Sequence, residues 1–174
     1  MPFAVTLCFD VATAASIETL WQALAAQGVD TDRRDLGYSA HITLAIYQDD
    51  APVERLAKAV AELGSRRPGV PVVLSGFGLF AAPSNVLWLA PAPSLQLLTY
   101  QQEVAAALPD LVIDAHYRPG SWVPHVTLSG TLPDPPRALA ALLPLWRPVS
   151  GVLERIELVR FRPVDVLSSR MLRP

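Results

Sequence analysis

The chain has 174 residues, 51% of them apolar, and a net charge of −2 at pH 7. That is enough apolar material for a sizeable core in one domain, and it excludes an intrinsically disordered chain. A protein that wraps a long nucleic acid shows a basic excess that is missing here, although 13 of the 14 basic residues are Arg, whose planar fork suits a small anion.

FAVTLCF (3–9) is rich in β-branched and aromatic residues and reads as a strand. It holds the single cysteine, Cys8, so neither an internal disulfide nor a cysteine-rich zinc site is available; Cys8 reads as a small core residue. Asp10 and the lack of a basic start make the N-terminus a poor secretory leader. No apolar run approaches the ~18–20 residues of a membrane span. The expectation is a soluble, cytoplasmic monomer.

Residues 13–27 place Ile17, Leu20, Trp21 and Leu24 at helical spacing, with Thr13 or Ser16 as cap and Gly28 as stop. DTDRRDLGYSA (30–40) is a polar loop, and HITLAIY (41–47) a strand. A helix follows over 53–63, closed by Gly64, and then strands over 70–80 and 85–90. In the second half a helix over 94–108 stops at Pro109, and a short strand is expected at 111–115. HYRPGSW (116–122) is a loop with a Pro-Gly turn, and HVTLSG (125–130) a strand. A helix over 136–146 and strands over 151–161 and 164–172 complete the chain.

Shifted by 84 residues, the sequence meets itself. His41 falls on His125, Thr43 on Thr127 and Leu44 on Leu128, while Tyr38 falls on Trp122. Apolar matches at a chosen offset are cheap. The repeated H-x-T is not: with three histidines and eight threonines, its chance is on the order of one in a hundred. The order of elements repeats as well. This predicts a single domain over 1–174, built from an internal repeat of approximately 1–84 and 85–174, with two lobes related by approximate two-fold symmetry.

Residues i and i+2 of a strand share a face, so each His and Thr stand together, about 6–7 Å apart along the strand. Two such faces lining one cleft would set an imidazole on either side of a central point. In-line displacement at phosphorus needs a base on the attacking oxygen and an acid on the leaving oxygen. Histidine titrates near neutrality and can serve as either. The Thr hydroxyls can donate to the non-bridging oxygens where charge builds. No metal or other cofactor is required.

AHITLAIY and WVPHVTLSG resemble the paired H-x-T signatures of the 2H phosphoesterase superfamily. The YRPGSWVPHVTL context is most similar to its bacterial 2′-5′ RNA ligase, or RNA 2′,3′-cyclic phosphodiesterase, branch. The resemblance implies an α+β fold of two pseudo-symmetric lobes, each an antiparallel sheet backed by helices, around a central cleft. It implies metal-free opening of 2′,3′-cyclic phosphates on RNA termini or a small cyclic nucleotide, with reversible 2′-5′ ligation as the related activity. By the same resemblance His41 is the proton donor, His125 the acceptor, and Thr43 and Thr127 bind phosphate. Relatives often carry an Arg shortly after the motif; this chain has Ile46 and Gly130 there, and Arg118, Arg160 or Arg162 are the candidates to supply the charge.

Other residues have two readings. Tyr38 and Trp122 either stack a nucleobase at the cleft mouth or belong to the core. Tyr117 and Arg118 precede the second motif, on a loop where ligands are commonly met, or are plain surface residues. His116 has no repeat partner and reads as a loop histidine. Two other functions remain open: a non-catalytic nucleotide- or RNA-binding module on the same fold, and a metal-binding protein using the two histidines.

Overall fold

The computed structural model describes residues 1–81 and 84–174. The first half contains β1 (Phe3–Phe9), α1 (Val11–Ala26), α2 (Asp32–Asp35), β2 (His41–Tyr47), α3 (Val53–Arg66) and β3 (Val70–Phe80). The second contains β4 (Val86–Pro91), α4 (Leu95–Ala107), a 3₁₀ turn (Ala115–Tyr117), β5 (Val126–Ser129), α5 (Pro135–Leu142), β6 (Val149–Arg160) and β7 (Asp165–Met171).

Every strand pairing is antiparallel, and the order is β2-β1-β6-β3-β4-β5, with β7 also on β6. Exchanging β1, β2 and β3 for β4, β5 and β6 returns the same order read backwards. The expected α+β architecture of sheets and helices is present, with one refinement. The two half-sheets are hydrogen-bonded into one, through Val70–Leu74 of β3 against Val149–Leu153 of β6. β2 and β5, which carry the two H-x-T motifs, are the ends of this path.

The boundaries follow local chemistry. The cap of α1 is Asp10, rather than Thr13 or Ser16, because its carboxylate accepts from both the backbone and the hydroxyl of Thr13 at 2.9 and 2.8 Å. The same carboxylate accepts from the Val152 N–H at 2.7 Å, which ties the helix start to β6. Gly28, at φ 63°, ends the helix as expected. Gly64 does not stop α3, which runs on to Arg66. It lets the helix approach the sheet, where a Cβ would stand 2.7 Å from Arg170 Cγ and 3.0 Å from Ile156 Cγ2. α5 ends at Leu142, short of the expected 146, with Pro144 just beyond. The expected strand at 111–115 is reduced to one bridge, Tyr47 with Ile113. The residue-30 loop contains the short α2.

Cys8 is a core residue, and burial pushes its thiol up to about 12. It donates to the buried Glu157 at 3.3 Å, which also receives Arg155 and Ser169.

Candidate active site

Strand alternation sets out the two motifs. On β2, Ile42 and Leu44 are fully buried while His41 and Thr43 are half-buried on the other face. On β5, Val126 and Leu128 are buried and Thr127 is half-buried, with His125 just ahead of the strand. The two imidazoles are held alike. His41 Nδ1 lies 2.6 Å from the Ser39 carbonyl, and His125 Nδ1 lies 2.8 Å from the Val123 carbonyl. A carbonyl can only accept, so each Nδ1 carries its hydrogen and each neutral ring keeps a lone pair on Nε2.

Burial, the largest cause, pushes His41 down to about 4; the charges of Arg33 and His125 push the same way, and the Ser39 carbonyl opposes them. His125 is also lowered, first by burial and then by His116. The first ring stacks on Tyr38 at 5.7 Å and 23°. The second is surrounded by Phe80 at 5.0 Å edge-on, Trp88 at 6.1 Å and Tyr117 at 6.3 Å.

His41, Thr43 and Thr127 line one cavity of ≈ 130 Å³, together with Tyr38, Tyr117 and Arg162. No other group among the described residues claims either threonine hydroxyl. His125 is buried among its aromatic neighbours rather than on the cavity wall.

Trp122 is not at the cleft mouth. It is 8% exposed in the core, and its indole N–H donates to the Thr43 carbonyl at 3.0 Å. Its counterpart is Trp21 on α1, whose indole donates to the Thr127 carbonyl at 3.1 Å. Each motif threonine thus has its backbone held by an indole from the other half of the chain. Tyr38, which the repeat aligned with Trp122, instead lies on the cavity wall against His41. Arg118 is also displaced: exposed, it donates through Nε to the Ile113 carbonyl at 3.0 Å and so fastens its own loop. Arg160 pairs with Asp165 at 2.7 Å. His116 is an exposed residue of the 3₁₀ turn, 5.1 Å from Phe80.

Sequence reasoning missed Arg33, which lines the cavity although it belongs to a stretch read as a polar loop. The loop is docked by Asp30, which accepts from Ser129 Oγ and from the Gly130 N–H. Arg33 then lies over the Tyr38 ring at 4.3 Å. The Arg-Arg pair at 33–34 gave no sign of which member turns inward.

Among the described residues, no group of three or more His, Cys, Asp or Glu is placed to hold a metal ion. Among the same residues, no helix is long and apolar enough to cross a membrane.

Solved structures share this architecture over the whole chain. The Thermus thermophilus protein TT0787 superposes with a TM-score of 0.69 at 17% identity, covering 99% of this chain and 98% of its own. E. coli LigT complexed with 3′-AMP superposes at 0.67 and 18% identity, covering 100% of both chains. No curated protein matches the chain in sequence. The model of the 2′-5′ RNA ligase superfamily matches residues 9–165. That span takes in both H-x-T motifs and the strands that carry them, and the chain belongs to the 2′-5′ RNA ligase superfamily, the 2H phosphoesterases its paired motifs resemble.

Proposed function

We propose that the protein is a metal-independent phosphoesterase that opens 2′,3′-cyclic phosphates by paired-histidine acid–base catalysis, with reversible 2′-5′ ligation as the related reaction in which a 5′-hydroxyl attacks in place of water. One observation carries the reading. Both imidazoles are fixed through Nδ1 by a backbone carbonyl two residues earlier, which leaves each Nε2 without a hydrogen-bond partner among the described residues, while His41 and the two uncommitted threonine hydroxyls line one cavity and His125 stands just behind its wall. His41 donates the proton to the leaving oxygen, and His125 takes one from the attacking water. Thr43 and Thr127 donate to the non-bridging oxygens. Solved structures of E. coli LigT hold 3′-AMP, ATP or NADP+, which favours a nucleotide or an RNA terminus as the molecule carrying the cyclic phosphate.

The lowered His41 value makes the proposal specific about pH. A proton donor titrating at about 4 is protonated in roughly one molecule in a thousand at pH 7. A phosphate anion in the cleft raises it by favouring the imidazolium. kcat/KM reports the free enzyme, so it peaks below the ordinary histidine value and declines as pH rises through neutrality. kcat reports the complex and peaks at higher pH.

The test is turnover of 2′,3′-cyclic nucleotides in EDTA, with product identification. His41→Ala and His125→Ala each lose turnover by at least roughly 100-fold, with near-native circular dichroism. Undiminished turnover in either variant, or abolition by EDTA, removes the proposal.

A further inference from the structure

The cleft contains a buried cation that no carboxylate contacts directly, although Asp30 and Asp32 act on it from a distance. Arg33 is 8% exposed, yet among the described residues its guanidinium donates no hydrogen bond and joins no ion pair, and its Nε is enclosed without a partner. The two nearby carboxylates are committed elsewhere. Asp30 is occupied by Ser129, Gly130 and the Asp32 N–H, and Asp32 faces Arg162 at 3.5 Å. The contact Arg33 does have is the face of Tyr38. A ring face returns less than the removal of a guanidinium from water costs.

A second cation arrives at the same place. Built on Gly130, a Cβ would stand 3.1 Å from Nη2 of Arg33 and 3.7 Å from Nη2 of Arg162. Two like charges therefore converge over a residue with no side chain, on the wall of the cavity that His41, Thr43 and Thr127 also line. Their mutual repulsion and the burial of Arg33 are both unfavourable as the chain stands. One anion between them reverses both.

We infer that Arg33 and Arg162, converging over Gly130, form a two-guanidinium seat for the oxyanion of a phosphoryl group. The cavity of ≈ 130 Å³ is well below the ~300 Å³ at which small-molecule sites begin. It therefore takes the phosphoryl group and leaves the nucleoside outside. Arg33 is the fixed member, enclosed and stacked on Tyr38. Arg162 is half exposed and tethered by Asp32. The planar forks bind the charged oxygens while the threonine hydroxyls complete the shell. The inference deepens the phosphoesterase reading and rests on it for the identity of the anion.

The probe is inorganic phosphate, titrated calorimetrically into the full chain at constant ionic strength, with Tm followed in parallel. Wild type binds phosphate and gains Tm from it. Arg33→Met binds at least roughly tenfold more weakly. It also raises Tm in phosphate-free buffer, because an unpaired buried charge is gone. Arg162→Met weakens binding without that gain, and Arg66→Met, on the exposed side of α3, changes neither. Failure of wild type to bind phosphate overturns the inference. So does wild-type affinity in Arg33→Met, or a lower Tm for that variant in phosphate-free buffer, as a purely structural residue would give. Binding is read without turnover, so the two readings fail separately. Arg33-dependent phosphate binding in a chain that turns over no cyclic phosphate leaves the seat and removes the reaction. Turnover with Arg33-independent binding does the reverse.

Discussion

An indole N–H donates and cannot accept, so a buried tryptophan is informative about what it holds. Trp122 and Trp21 each donate to the carbonyl of a motif threonine, and so position the hydroxyl that the proposed chemistry needs. Trp122→Phe and Trp21→Phe are expected to lose about 1–2 kcal/mol each in urea denaturation, from the lost bond and the stranded carbonyl. Turnover should fall through kcat more than through KM, because the threonine is misplaced rather than removed. Equal stability and equal kcat in both variants would show that the braces position nothing. At this scale the sequence was partly legible. His41, Thr43, His125 and Thr127 stood out because their spacing was repeated. The braces did not, because a shift of 84 residues compares Trp122 with Tyr38, whereas the contact in space crosses between the halves. Arg33 was illegible for a similar reason. Its burial depends on Asp30 meeting Ser129, 99 residues away.

Elements were read best where one periodicity governed them. β2 spans His41–Tyr47 as its alternation requires, and β1, β3 and α4 lie within a residue or so of expectation. The misreadings came from residues whose role is tertiary. In the sequence Asp10 is only an early charge that argues against a leader; in the fold it is both the cap of α1 and a tie to β6. Asp10→Ala is expected to cost about 1–2 kcal/mol. The sign of its pH dependence follows from its carboxyl. Partial burial alone would raise it, but hydrogen bonds from Val152 and Thr13 outweigh that and hold it below its ordinary 3.8. The stabilisation is therefore present above 3.8 and lost as pH falls through the lower folded value. Thermal melts of wild type and Asp10→Ala should converge on the acid side. A gap that persists undiminished well below that pH would contradict this account.

For the whole molecule, the strand order that reads the same from either end is the arrangement a duplicated half-chain would give, and we infer that the repeat in the sequence has this origin. What sequence reading could not supply was how the halves join. The β3–β6 pairing makes one sheet of them, and the two indoles cross between them. Each half loses strand pairings if the other unfolds, because β1 pairs with β6 and β3 pairs with both β4 and β6. Unfolding is expected as one cooperative transition, with far-ultraviolet circular dichroism and tryptophan fluorescence coincident in denaturant. Two separated transitions would mean that the lobes are independent.

The braces have one more effect. β2 and β5 are the ends of the sheet path, and the carbonyls on their outer rows are the kind that recruit a strand from another chain and begin aggregation. On β2 the Thr43 carbonyl is taken by Trp122 and the Ile46 carbonyl by the Asp114 N–H. On β5 the Thr127 carbonyl is taken by Trp21. The contacts that set the threonines in place also blunt these two edges, so the chain can carry the groups of its proposed chemistry on outer strands without offering those strands to a neighbour.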